Sequence, residues 1–466
     1  MSISSASLTS EYFHIQQLAD APDLLSLHRR NPQRYPYLLV STASGCVNTR
    51  FDILFAYPQS CLELRHDNTL YADGRQLETS DFLDELNRRF KQSRNDAARP
   101  DDLPFAGGWF VYLGYELAGQ IEPVLQMPDA DTELPIACAT HIPCAIIHDK
   151  ALQKMYLVTE QPYIHLQASV LEDVQQLMTE KPGFLSPETG QPVEEDAQQY
   201  IDGVNRIKQY ITEGDVFQVN LSRAWQVELL NDIAAADIFY SLGKSNPAPF
   251  AGLAQFHGTS IISSSPERLV RTKNNTVDTR PIAGTRPRGD NKQRDDEFSD
   301  ELLAHPKERA EHIMLIDLER NDLGRVCEPG TVRANELMVL ESYAHVHHIV
   351  SNIQGRLRAD VLPGDVIRAV FPGGTITGCP KIRCMEIIAE LEQTARSAYT
   401  GSMGYLNYNG DMDLNILIRT MIKTQHNLTF RAGAGIVADS IAENEVEETH
   451  AKARGLLLSL SGRKVL

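Results

Sequence analysis

Apolar residues recur along the chain in two rhythms. YLLVS (37–41) and FDILFAYP (51–58) are short apolar runs that read as strands. In LETSDFLDELNRRFKQ (77–92) apolar residues return every three or four positions behind a polar start, which predicts a capped amphipathic helix. Two polar stretches broken by Pro or Gly, 90–103 and 181–197, read as surface connections, the second as the boundary between a 1–180 region and a 195–466 region. Beyond it, AQQYIDGVNRIKQYITEGD predicts a helix, and FQVNLSRAWQVEL, SIISSSPERLV and NTVDTRPIAGT predict strands and turns. Helices over about 306–319 and 442–458 bracket GSMGYLNYNG, with its turn, and DLNILIRTMIKT, which reads as one strand. Helices and antiparallel strands mix with no βαβ period and no repeat, so the fold class is α+β.

Composition narrows the partners. In 466 residues with 42% hydrophobic and 23% charged, a folded core is expected. A net charge of -18 disfavours nucleic acid and anionic membrane, which are bound through clustered Lys and Arg. No apolar run approaches the roughly 20 residues that span a bilayer, and the first residues carry no basic leader, so a cytoplasmic location is expected. Seven scattered cysteines (46, 61, 138, 144, 327, 379 and 384) fit reduced thiols. Cys138, His141 and Cys144, evenly spaced by three, fit one face of a short segment better than a zinc site.

Acidic residues supply the first candidate chemistry. Glu308 and Glu311 lie three apart in PKERAEHIMLIDLERNDLGR, and Glu445, Glu448 and Lys452 fall at i, i+3 and i+7 in IAENEVEETHAKARGLLL. Alone, the first pair reads as a solvated acidic face; the second helix changes that reading by putting two acids and a lysine on one stripe. Carboxylates converging from both helices would call for a cation, and hard oxygen donors suit Mg²⁺. The amides of Gly433, Ala434 and Gly435 in RAGAGIVADS could cradle an anion or belong to a close-packed strand. FPGGTITGCPK places Thr377 before a helix starting near Pro380, where negative charge is favoured. Glu267 in SSSPERL fits a proton donor at a strand end or an ion pair with Arg268; His348, clustered with His345 and His347, fits proton transfer or a strand position. RPIAGTRPRG (280–289) gathers Arg280, Arg286 and Arg288 as an anion trap. Neither a Gly-x-Ser-x-Gly elbow nor a Walker loop occurs.

In order, VFQVNLS, SSSPERL, RPIAGTRPRG, KERAEHIMLIDLERNDLGRV, HHIVS, FPGGTITGCPK, GSMGYL, IRT and GAGIVADS resemble the chorismate-binding enzyme family over roughly 195–460, and LPFAGGWFVYLGYELA extends the resemblance into the first half. The resemblance implies two large stacked β-sheets flanked by helices, in one intertwined domain, with chorismate and Mg²⁺ toward the carboxy-terminal half. By motif, Glu311 and Glu448 would hold Mg²⁺ with Glu445 close by. Arg419, Lys452 and the Gly433–Gly435 amides would grip substrate carboxylates, with Gln218, Thr377 and Tyr399 also in the binding site. Glu267 would be the acid for departure of the 4-hydroxyl, and His348 would lie beside the ring.

Gln218 stands where water-using members carry a lysine base, which implies ammonia as nucleophile. The chain has no Gly-x-Cys-x-Gly segment, and Ser44-Gly45-Cys46-Val47-Asn48 is not one, so a separate glutamine amidotransferase subunit is implied. NTRFDILFAYP, NPAPFAG and GSMGYLNYNGDMDLNILIRT resemble the branch that makes 4-amino-4-deoxychorismate more than the anthranilate branch. Ala283 points the other way, because the first branch carries a lysine nucleophile there. Ser41, Arg50, Phe51, Pro249 and Phe250 match a family pocket for tryptophan.

Overall fold

The computed structural model describes residues 7–42, 50–95, 103–130, 132–179, 183–289, 291–342 and 346–461; Cys46 and His345 lie outside them. Among these residues the strands form two antiparallel sheets, one of 13 strands and one of 12. Each sheet draws on both sides of the 181–197 stretch: Tyr37–Val40 pairs with Phe250–Phe256 in the larger sheet, and Gly108–Leu113 pairs with Ser402–Asn407 in the smaller. Their facing sides form an aromatic core in which the rings of Tyr37 and Phe110 stack with centroids 3.9 Å apart, and Phe55, Phe105 and Phe256 fill in around them. Helices Ala235–Ser245 and Ala442–Leu460 cover the outer face of the larger sheet, while Phe82–Ser93 and Pro363–Val370 cover the smaller. The expected layering of helices, two stacked sheets and helices is what the chain adopts, because the central strands present one apolar face to each neighbouring layer.

The predicted helices appear as Phe82–Ser93, capped by the Asp81 side chain, and Ala197–Glu213, Pro306–Gly324, Lys381–Glu392 and Ala442–Leu460. Two expectations need correction. Cys138 and His141 belong to the strand Ala137–Ile142 and Cys144 to the next, so a spacing of three sends neighbours to opposite sheet faces; the His141 ring meets Glu160 at 3.0 Å instead. DLNILIRTMIKT is two strands: Met412–Asn415 lies in the smaller sheet and Thr420–Thr424 in the larger.

That break is one of two side-by-side crossings between the sheets. Thr259–Ser265 in the larger sheet passes through Pro266 and Glu267 into Arg268–Lys273 in the smaller. The crossings are tied by backbone bonds from Ile416 N–H to Glu267 C=O and from Ser264 N–H to Arg419 C=O, both 3.0 Å. Arg419 adopts φ 52°, the left-handed turn that lets the second crossing re-enter the larger sheet.

Candidate active site

The strand Asn427–Ile436 carries one side of the candidate site. It pairs along its length with Gln218–Glu228, but Thr420–Thr424 accompanies it only as far as Phe430. Ser222 N–H turns to Glu392 and Asn220 N–H to Thr377, so Leu221 and Ala434 form the hydrogen-bonded pair of the ladder. Gly433 and Gly435 therefore direct their N–H and C=O groups to the open side beyond Phe430, and the Lys452 ammonium donates to Gly433 C=O at 2.9 Å there. Two of the three predicted amides face the opening; the Ala434 amide is spent in the ladder.

Both glycines are required by crowding. A Cβ at 435 would collide with Gln218 Nε2, and one at 433 would come within 2.8 Å of Asn220 Oδ1 and 2.9 Å of the Tyr399 hydroxyl. Gln218 Oε1 and Asn220 Oδ1 are buried without a hydrogen-bond partner among the described residues. Asn220 lies two residues from Gln218 on the same strand face, a signal visible in FQVNLS and missed in the sequence reading.

The crossings bring acid and base to this opening. Glu267 is 5% exposed and Oε1 has no hydrogen-bond partner. Burial raises its carboxyl to about 7, opposed by the Thr375 hydroxyl, the Ile282 N–H and the charge of Lys452. Among the described residues the Arg419 guanidinium donates to Asn246 Oδ1, at 3.5 Å, and pairs with no carboxylate; burial lowers its pKa, and Tyr399 acts against that. Tyr399 is buried, which pushes its hydroxyl up to about 12, and the buried Arg396 guanidinium stacks over its ring at 5.5 Å.

His348 sits on Val346–Arg356 with Nδ1 3.4 Å from Gly284 C=O, and burial drops it to about 4, so it is neutral near pH 7. Gly284, at φ 65°, is the bulged residue that shifts register between Ala283 and Thr285. The Ala283 side chain is buried. Thr377 falls away from the opening: its hydroxyl donates to Gly373 C=O at 2.9 Å, and Gly378–Cys379 intervenes before the helix. Thr375 in the same loop is the threonine beside Glu267.

Glu445 is buried, and Glu448 is half-exposed with Lys452 Nζ at 2.7 Å. Their charges are both felt at Tyr200. Glu311 is half-buried on the other helix. Among the described residues no three His, Cys, Asp or Glu side chains gather closely enough to hold a metal ion. The donor chemistry, all carboxylate oxygen, still suits Mg²⁺.

A separate cavity of about 310 Å³ between the sheets is lined by Arg50, Phe51, Pro249 and Phe250, with Arg268 and Met403. Ser41 lies outside its lining; Ser41 N–H donates to Asp52, and Arg50 is paired with Asp149 at 2.8 Å. The arginines of RPIAGTRPRG are no anion trap. Arg280 holds Glu336 and Glu341, Arg286 holds Glu301 and Glu308, and Arg288 holds Asp295. His347 turns from the site to Asp295 at 2.9 Å.

Residues 40–458 match the family described as chorismate binding enzyme. The chain is 43% identical over 365 residues to an anthranilate synthase component I-like protein of Synechocystis sp., covering 78% of this chain and 74% of that protein. It is 42% identical over 378 residues to aminodeoxychorismate synthase component 1 of Bacillus subtilis, covering 78% and 79%. Its fold superposes on the crystal structure of anthranilate synthase component I from Streptococcus pneumoniae with a TM-score of 0.78 at 32% identity, over 88% of this chain and 93% of the other. No helix among the described residues is long and apolar enough to cross a membrane.

Proposed function

This chain belongs to the chorismate binding enzyme family, and from that premise we propose that it aminates chorismate with ammonia to 4-amino-4-deoxychorismate, feeding 4-aminobenzoate and folate synthesis. The observation that carries the reading is the opening itself, where a buried carboxyl near neutrality feels the charge of Lys452, and Lys452 in turn donates to the carbonyl of Gly433, one of two glycines whose amides turn outward. Arg419, Lys452 and the Gly433 and Gly435 N–H groups grip the substrate's carboxylates. Glu267 donates its proton to the 4-hydroxyl, which leaves as water. Gln218 cannot deprotonate water, but its unpartnered Oε1 accepts from an ammonia N–H. The neutral His348 stands beside the ring. Ammonia comes from a separate glutamine amidotransferase subunit.

Glu311 and Glu448, with Glu445 nearby, would hold Mg²⁺, which supplies positive charge for a substrate carboxylate. Glu311→Gln is expected to remove the magnesium-dependent turnover with the thermal melt unchanged; turnover equal to wild type overturns the assignment. Ala283 favours a second reading, 2-amination with pyruvate loss to anthranilate, since no lysine stands there to attack carbon 2. A third class, a catalytically idle scaffold subunit, is opposed by the retained Glu267, Arg419 and Lys452. The cavity around Phe51 and Pro249 is read as a tryptophan pocket, checked by calorimetric titration with tryptophan. Incubating the protein with chorismate, Mg²⁺ and ammonium and identifying the product decides among the readings. 4-Amino-4-deoxychorismate supports the first, anthranilate replaces it with the second, and no turnover with a glutaminase present leaves the scaffold.

A further inference from the structure

The acid that this chemistry consumes is sealed from solvent. Glu267 is 5% exposed, and after giving its proton to the leaving hydroxyl it must regain one before the next turnover. A second carboxyl lies within its electrostatic reach: Glu319, 7% exposed, on the inward side of Pro306–Gly324. Two segments touch both groups. Thr375 lies against Glu267, while a side chain on its neighbour Gly374 would stand 3.7 Å from Glu319 Oε1. Thr279 lies against Glu319, and the Ile282 N–H, three residues on, against Glu267. The hydroxyls of Thr279 and Thr375 and Oε1 of Glu267 are buried, and none completes a well-formed hydrogen bond. Buried polar atoms with unused capacity are costly, so two such hydroxyls beside these carboxyls, together with the open oxygen of Glu267, call for an explanation, and a passing proton or water supplies one. On its other side Glu319 faces Asp322 and Lys381, which are paired at 2.6 Å, and the Lys381 side chain is 14% exposed.

We propose that Glu319 reloads Glu267 with a proton after each turnover, drawing its own from solvent at the Asp322–Lys381 edge. The inference rests on the reading of Glu267 as the acid in chorismate amination. The O–H bond of Glu319 breaks, its proton passes by way of the threonine hydroxyls, and an O–H bond forms on the Glu267 carboxylate. No oxidation state changes, and the proton taken from solvent is matched by the one the new amine releases. Burial, reinforced by the nearby Asp322 charge, raises Glu319 to about 8, opposed by Lys381 and Thr279, so it holds a proton at neutral pH. The relay serves amination at carbon 2 or carbon 4 alike, since both lose the 4-hydroxyl. The sequence gives a faint cue: Glu319 repeats Glu311 eight residues on, along the same helix side.

The test is rapid-quench kinetics of Glu319→Gln with chorismate, Mg²⁺ and saturating ammonium. At a pH below about 7 the first equivalent of product is expected at the wild-type rate, because Glu267 starts loaded. Steady turnover is then expected to slow by about tenfold or more, with the KM for chorismate and the thermal melt unchanged and a larger solvent deuterium effect on kcat. Glu319→Asp, which keeps the carboxyl, is expected to restore most of the steady rate. Equal steady rates in wild type and Glu319→Gln overturn the relay, as does a first turnover slowed as much as later ones. Wild-type protein that never consumes chorismate removes the amination reading, and the relay with it.

Discussion

Arg280, Arg286 and Arg288 each face carboxylates, whereas Arg419 faces an amide oxygen. The first three sit around a strand whose neighbours, the strand Arg333–Ser342 and two helices, bring acids to meet them; the fourth sits at a crossing between sheets, where burial pulls its pKa down. Charge density in the sequence marks the braced region, and charge left unanswered in the fold marks the site. A guanidinium satisfied by two glutamates has little to offer a dianion, while one held in a buried place with spare donors is complementary to it.

Experiments that would break this contrast begin with the acid that shares the crossing. Glu267→Gln is expected to lower kcat by at least about 100-fold while leaving the KM for chorismate within a few fold, read by chorismate consumption. Arg419→Met is expected to raise that KM by about 10- to 100-fold, the worth of a charged hydrogen bond. Parity between Arg419→Met and Arg286→Ala would dissolve the comparison. Gly435→Ala, whose new methyl meets Gln218 Nε2, is expected to cost about tenfold in kcat/KM from displacement of 1–3 kcal/mol of packing. The acid role sharpens the same point through pH. Glu267 works protonated, so kcat is full below about 7 and falls as pH rises past it, with no limb from His348 between pH 5 and 8 because that ring is already neutral. The smallest effect belongs to the brace: Arg286→Ala is expected to cost at most about 1 kcal/mol of stability, the range of partly exposed ion pairs, with the KM unmoved.

Helix positions were legible because their cues are local: Asp81 caps one, Pro306 opens another, and the 3.6-residue apolar period carries each through. The family motifs gave Glu267, Arg419, Gly433 and Lys452 in advance, and the structure brings them to one opening. What local pattern could not show was which strand belongs to which sheet. The ILIRT stretch looks like continuous strand because both halves are apolar, yet the partner of Asn415 and the partner of Thr420 lie in different layers. Thr375 and Thr377 are equally good candidates on paper; only the turn of the loop sends one hydroxyl to Gly373 and leaves the other beside Glu267.

The pairing of early strands with late ones also sets how this chain must be born. Gly108–Leu113 gains the partner on one side as soon as Ala137–Ile142 emerges, but the other side waits for Ser402–Asn407. At ribosomal speed that interval is about 13 to 53 seconds. For that time an apolar, half-paired strand is exposed to every other nascent chain, so crowded overexpression should favour aggregation and chaperone capture over the native sandwich.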